Sequence, residues 1–157
     1  MLLLVSKLKK GVSFLDYGCG RGDDLRLLRE IGIKGNGWDP FWRPEGTKTA
    51  FTVVNLGFVL NVIESPKERA AVLRDAWNLT LKLLAVATLI PEPRVNSTPY
   101  RDGCLTGAGT FQRDFRKDEL FRFLKNVLPD GKITKMKRNL FFVEKQRNQK
   151  TILMGKV

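Results

Sequence analysis

Apolar positions along this chain follow two spacings, and the two alternate. Continuous apolar runs closed by turn residues predict buried strands at "VSFLDYG" (12–18), at "FTVVNLGFVLNVI" (51–63, at least through Asn55) and at "LKLLAVATLIP" (81–91). "GNGWDP" (35–40) predicts a shorter strand that closes on Asp39 and is ended by Pro40. Between these runs the apolar spacing changes to three or four. "DDLRLLREIGI" (23–33) predicts a helix with Leu25, Leu28 and Ile31 on one face and two acids in its first turn, which suits the positive end of a helix dipole. A helix through "KERAAVLRDAWNLT" (67–80) begins at "SPKE", where Ser65 caps, Pro66 takes the first helical position and Glu68 completes a capping box. "RKDELFRFLKNVL" (116–128) predicts a further amphipathic helix, and "GKITKMKRNLFFVEKQR" (131–147) predicts two strands or one hairpin. The segment Leu2 to Leu8 fits a short strand or a helical turn. "FWRPEGTKT" (41–49) and "EPRVNSTPYRDGCLTGAGTFQ" (92–112) read as loops from their Pro, Gly and Thr content.

Strands alternating with helices predict an α/β sheet with parallel members, in one domain spanning 1–157. Such sheets bind ligands at the carboxyl ends of their strands, near the switch in strand order. That is where the densest glycine cluster falls. "LDYGCGRGDD" (15–24) carries Gly18, Gly20 and Gly22 between a predicted strand and a predicted helix. Glycine is spent where backbone must turn sharply or approach a ligand closely. Asp39, 21 positions after Gly18, ends the next strand, where an acid can accept bonds from ribose hydroxyls.

Two ligand classes share this layout. A dinucleotide site needs G-x-G-x-x-G, and Asp23 stands at the third glycine's place. A pyrophosphate must sit at the helix N-terminus, which Asp23 and Asp24 make unfavourable. S-adenosylmethionine has no phosphate and carries a sulfonium and an ammonium, so the acids around the glycines favour it.

These residues also carry a resemblance. "LDYGCGRGDD", "GWDP" and "VVNLGFVLNVIE" resemble the class I S-adenosylmethionine-dependent methyltransferases. More narrowly, "DYGCGRGDD…GWDP…NLGFVLNVIE…RAAVLRDAW", with "DGCLTGAGTFQ", looks like the methyltransferase-like proteins associated with DNA phosphorothioation gene clusters; the likeness covers most of Val12 to Leu124. It implies a Rossmann-like, mostly parallel sheet with helices on both faces, and S-adenosylmethionine as cofactor. It also implies that Asp16 holds the first loop, that Gly18, Cys19 and Gly20 lie against the methionine part, and that Asp39 binds the ribose. Pro40 and Phe41 would flank the adenine. Asn55, Leu56 and Gly57 would face the cofactor and the transferred methyl, with Asn55 as the catalytic candidate.

Two departures from the family pattern are visible. Phe51 begins the central strand only 12 positions after Asp39, which leaves no room for the usual third strand and its helix. Asn55 is followed by Leu-Gly-Phe rather than the Pro-Pro-Tyr or Pro-Pro-Phe of many amino-group methyltransferases of DNA.

The chain has two cysteines, Cys19 and Cys104, and no histidine, which argues against zinc sites and Cys-His or Ser-His-Asp catalysis. By its side chain Cys19 reads as a small packing residue, and Cys104 as a loop thiol. Trp38, Phe41 and Trp42 are candidates to stack on adenine or a substrate base, with core packing an equal reading for Trp38. Asn61 and Glu64 read as turn and cap residues.

The net charge is +12, a field that attracts polyanions. Nucleic acid is the expected partner, with Lys132, Lys135, Lys137 and Arg138 as candidate contacts and Lys135 and Lys137 expected on one strand face; an acidic partner protein is the alternative. No apolar run is long enough to span a membrane and no signal peptide is evident, so the expected location is the cytosol. The functional expectation is methyl transfer to an acceptor on nucleic acid or on a protein bound to it. A reduced domain that binds cofactor or nucleic acid without turnover is the other reading.

Overall fold

The computed structural model describes residues 6–8, 11–116 and 118–146. Most of the predicted opening segment, the residues Leu2 to Val5, and the basic tail beyond Gln146 lie outside them. Strands are β1 (Phe14–Tyr17), β2 (Asn36–Trp38), β3 (Phe51–Gly57), β4 (Thr80–Ala87), β5 (Thr98–Tyr100), β6 (Gly103–Leu105), β7 (Phe111–Gln112), β8 (Gly131–Lys137) and β9 (Leu140–Lys145). Helices are α1 (Asp23–Glu30), α2 (Pro66–Asn78) and α3 (Glu119–Val127).

Six strands form one sheet in the order β2-β1-β3-β4-β9-β8. The first four are parallel, and β9 and β8 close the sheet as an antiparallel hairpin. After β1 the chain builds β2 on one side and then β3 on the other, so the strand order reverses at β1. The edge beside β2 carries no further strand among the described residues, in line with the short interval between Asp39 and Phe51.

Alternation along each strand divides the core. Phe14, Val53, Leu83, Ala85 and Phe142 pack with Leu25 and Leu28 of α1. Leu15, Tyr17, Val54, Leu56, Leu84, Val86 and Phe141 pack with Leu73 and Ala76 of α2 and Leu120 and Leu124 of α3. β1 is buried throughout, as expected of a parallel strand covered on both faces. The predicted cap of α2 forms: the Ser65 hydroxyl accepts a bond from the Glu68 backbone N–H (3.3 Å), with Pro66 at the first position. Ile31 departs from expectation. Helix α1 stops at Glu30, and the Ile31 side chain is 60% exposed.

The connection from β2 to β3 contains no helix, and side chains cover the sheet there instead. Trp38 packs on Tyr17 with ring centroids 4.8 Å apart, and Lys48 Nζ lies 4.1 Å above the Trp38 ring. Lys48 Nζ and the Tyr17 hydroxyl both donate to Asp75 Oδ2 of α2, each at 2.5 Å. Burial and the bond to Asp75 push the Tyr17 phenol above its ordinary value. Burial works against the Asp75 carboxylate, but the bonds from Lys48 and Tyr17 outweigh it and hold that acid low. Trp38 is thus a packing residue.

The segment 92–112, expected as a loop, folds into a second, antiparallel sheet of β5, β6 and β7. Its strands are two or three residues long, too short to show alternation. Tertiary bonds hold it. Arg69 of α2, almost fully buried, donates to both carboxylate oxygens of Asp102 (2.8 and 3.1 Å) and to the carbonyls of Ile63 and Glu64. Asn61 is a turn residue, as expected, and a buried one: its amide donates to Gln112 Oε1 and its backbone carbonyl accepts from the Arg113 N–H. Removing one member of a buried pair leaves the other charge uncompensated. Asp102→Ala is therefore expected to cost about 3 kcal/mol in urea unfolding. The double change Arg69→Met with Asp102→Ala should recover part of that loss, which a double-mutant cycle reads directly.

Candidate functional site

The site is built where β1, β2 and β3 end. Gly18 and Gly20 both adopt positive φ, +79° and +53°. A Cβ at Gly18 would come within 2.4 Å of Val59, so glycine is required there for packing. A Cβ at Gly20 would meet nothing within 4 Å. Open space faces Gly20, so its positive φ rather than packing favours glycine there.

Asp39 clasps this loop. Its Oδ2 accepts from the Gly20 N–H (3.0 Å), and its Oδ1 accepts from the N–H groups of Phe41 and Trp42 (both 2.9 Å). The N–H groups of Gly18 and Cys19 meanwhile bond the Trp38 carbonyl. The β1 loop and the β2 exit thus form one bonded unit.

Register explains the next contact. Asp16 and Asn55 lie opposite each other on β1 and β3, and alternation turns both toward the α1 face. The Asn55 amide donates to Asp16 Oδ1 at 2.8 Å. Asp16 is 5% exposed, and its carboxyl is pushed up to about 6. Burial is the main cause; the Asn55 bond opposes it, and the charges of Asp24 and Asp39 add to it.

The other sequence candidates sort by side-chain direction. Cys19 packs toward Leu25 and Gly37, and burial, then the Asp16 charge, push its thiol up to about 11, so it is no nucleophile at neutral pH. Leu56 is fully buried in the core, so only its backbone can face a ligand. Pro40 and Phe41 are exposed at the β2 exit, with the Phe41 ring edge-on to Trp42 and the Arg21 guanidinium 4.3 Å from the Trp42 ring centre.

Asn55 and Gly57 open onto a cavity of about 550 Å³ beyond the ends of β3 and β4. Asp24, Phe58, Thr88, Leu89, Ile90 and Leu140 form much of its wall. The sequence reading missed these residues. One signal was available: "TLIP" (88–91) leaves the carboxyl end of a buried strand, where ligands gather in such sheets. The wall is completed from the hairpin side. Asn139, in the β8–β9 turn, donates to the Leu89 carbonyl (2.7 Å) and accepts from the Thr88 N–H (3.1 Å).

Lys135 and Lys137, expected on one face, do not share it. Lys135 pairs with Phe141 and Lys137 with Leu140, so Met136 is an extra residue in β8. Such a bulge reverses the facing of the residues beyond it. Lys135 therefore lies near Asp118 at the α3 side (4.0 Å), whereas Lys137 and Arg138 line the cavity.

The fold has many structural counterparts. It superposes on a 1,6-didemethyltoxoflavin-N1-methyltransferase from Burkholderia thailandensis, crystallised with 1,6-didemethyltoxoflavin and S-adenosylhomocysteine, with a TM-score of 0.68 at 15% identity, covering 93% of this chain and 76% of that one. It superposes on the CcbJ methyltransferase of Streptomyces caelestis with a TM-score of 0.62 at 14% identity, covering 93% and 88%. For magnesium protoporphyrin IX methyltransferase from Synechocystis PCC 6803 with bound S-adenosylhomocysteine the TM-score is 0.59 at 13% identity, covering 92% and 78%. No protein-family model and no curated protein matches the chain. The architecture is the Rossmann-like fold of the S-adenosylmethionine-dependent methyltransferases. No helix among the described residues is long and apolar enough to cross a membrane.

A carboxyl raised from 3.8 to about 6 binds its proton more tightly in the folded state. Stability from this group is complete below the unfolded value and is lost as pH rises through about 6. The gap corresponds to about 3 kcal/mol. Asp16→Asn, which can still accept from Asn55, is expected to raise urea stability at pH 8 by up to about that amount. The gain should shrink as pH falls from 6 toward 4. A variant less stable than wild type at pH 8 would contradict this.

Proposed function

We propose that the chain binds S-adenosylmethionine over the ends of β1 and β2 and transfers its methyl group to an acceptor lodged in the neighbouring cavity. The observation that carries this reading is the glycine cradle. Open space faces Gly20, Asp39 clasps the loop, and the surrounding charged groups include Asp16, Asp24 and Asp39. A sulfonium and an ammonium complement these acids, while the Arg43 guanidinium lies at the Gly22 side of the loop. Asp16 is a buried acid with a raised pKa beside this loop, the kind of group that gathers at binding sites.

Residue roles follow from position. Three backbone N–H groups occupy Asp39, which leaves about one acceptor position of a carboxylate's four for a ribose hydroxyl, one fewer than two hydroxyls require. Phe41, with its ring exposed, lies where the adenine would rest, a surface usually completed by the third strand unit. Gly18 and Gly20 contribute backbone to the methionine part, and Asp16 contributes charge. Cys19 and Leu56 contribute backbone alone. Asn55 joins Asp16 to the cavity and orients the acceptor side. The cofactor supplies an already activated methyl, so the protein's task is alignment and exclusion of water. The carboxylates of Asp24 and Glu92 in the cavity wall are the groups available to take a proton from the acceptor.

The likeness to proteins of phosphorothioation clusters, together with the charge of +12, supports DNA as a second reading of the acceptor. The separation of Lys135 from Lys137 weakens it. If DNA is the acceptor, binding falls steeply with salt, and the cytosol is the compartment.

Titration calorimetry with S-adenosylmethionine tests the cofactor site. Asp39→Ala is expected to weaken binding by about 2–4 kcal/mol, because a charge-assisted bond and the loop clasp are lost together. Gly20→Val should abolish it by filling the cradle. Wild-type affinity in both variants sinks the reading. Binding without tritiated methyl transfer to any acceptor would instead favour the module without turnover.

A further inference from the structure

The cavity is polarised along the sheet edge. At the β1 side Asp24 lines the wall, and the charges of Asp16 and Asp39 lie near it. At the other side stand Lys137 and Arg138, on the hairpin tip beyond β9. Lys137 ends β8, and from β1 across β3, β4 and β9 to β8 is four strand spacings, about 19 Å. That interval holds the reactive end of a cofactor and one compact acceptor.

The charged groups of the wall are Asp24, Glu92, Arg94, Lys137 and Arg138. Arg94 is already satisfied, since both its terminal nitrogens bond Asp114, at 2.5 and 2.7 Å. Lys137 and Arg138 form no ion pair among the described residues. Two uncommitted cations, Lys137 and Arg138, therefore stand in a wall whose acids are Asp24, beside the glycine loop, and Glu92.

Between the two ends the wall is apolar. Phe58, Leu89 and Ile90 are 54%, 38% and 46% exposed, and all three line this one cavity. Convergence of exposed apolar side chains marks a binding surface. Phe58 adds a second sign. It holds a left-handed backbone conformation (φ +61°), which is costly for an aromatic residue and concentrates at functional sites. The Thr88 hydroxyl, in the same wall, is buried without a bonding partner among the described residues.

We infer that the acceptor is a compact, largely apolar small molecule carrying one carboxylate or similar oxyanion, held by Lys137 and Arg138 with its apolar body against Phe58, Leu89 and Ile90. Its role as methyl acceptor rests on the methyltransferase reading; its binding does not. An extended polyanion fits the wall less well, because Lys132 and Lys135 do not join the two tip cations.

The probe is 8-anilinonaphthalene-1-sulfonate, an apolar anion whose fluorescence rises in apolar sites, titrated into the full chain. Saturable one-to-one binding is expected. 1-Naphthoate should displace the dye, and the uncharged 1-naphthamide should do so at least about tenfold less well. The double variant Lys137→Gln, Arg138→Gln should lose about tenfold in naphthoate affinity, and Lys132→Gln should lose nothing. Phe58→Asn, which tolerates the same backbone conformation, should weaken binding several-fold, and it keeps the test decisive if the double variant misfolds. Equal displacement by acid and amide overturns the inference. So does displacement by a duplex 20-mer but not by naphthoate. Calorimetry separates the two readings. Cofactor binding with no naphthoate binding overturns this inference alone, and naphthoate binding with no cofactor binding overturns the methyltransferase reading alone.

Discussion

The carboxylate of Asp39 is the contact on which the site depends. It bonds backwards to the Gly20 N–H and forwards to the N–H groups of Phe41 and Trp42. One side chain thereby fixes the glycine loop after β1 and the turn after β2, two segments that are 19 residues apart at their bonded atoms. Without it the Gly20 backbone has no partner holding it open, and the exit from β2 loses the pair of bonds that start its turn. An acid suits this task because a carboxylate can accept from several N–H groups at once, each bond strengthened by the charge.

The reduced size of the sheet has a local solution. A parallel crossover ordinarily carries a helix that covers one face. Here the chain passes from β2 to β3 with only a loop, and the exposed face of β1 and β2 is closed by Trp38, Tyr17 and the Lys48 amine, anchored to Asp75 of α2. Two aromatic rings supply apolar contact, the Lys48 amine lies over both, and one carboxylate satisfies both polar ends. This arrangement protects the core on the α2 side but leaves Phe41 and Trp42 in solvent beside the site.

Charge then organises what the backbone has placed. The acids gather at the β1 end of the strand edge, and Lys137 and Arg138, which form no ion pair among the described residues, stand at the hairpin tip, so the two ends of the edge carry opposite charge. The overall charge of +12 conceals this division, because a sum carries no position.

Much of the architecture was legible along the chain. Apolar runs marked β1, β3 and β4. The glycine cluster lay between a strand and a helix, and Ser65 and Pro66 announced the start of α2. Local chemistry dictates such features: a buried parallel strand must be apolar, a left-handed turn needs glycine, and a helix start needs an acceptor side chain. The strands of the 92–112 segment were hidden, because two- and three-residue strands have no readable period and depend on Arg69, a residue of a distant helix. The facing of Lys135 and Lys137 was hidden as well, since one extra residue at Met136 reverses a period of two and only pairing with β9 reveals it. The sequence by itself thus determined which segments form the sheet and where its glycine loop lies. Only the tertiary structure decided which side chains meet across the strand ends, because those contacts depend on register and on chain separated by tens of residues, which no local pattern encodes.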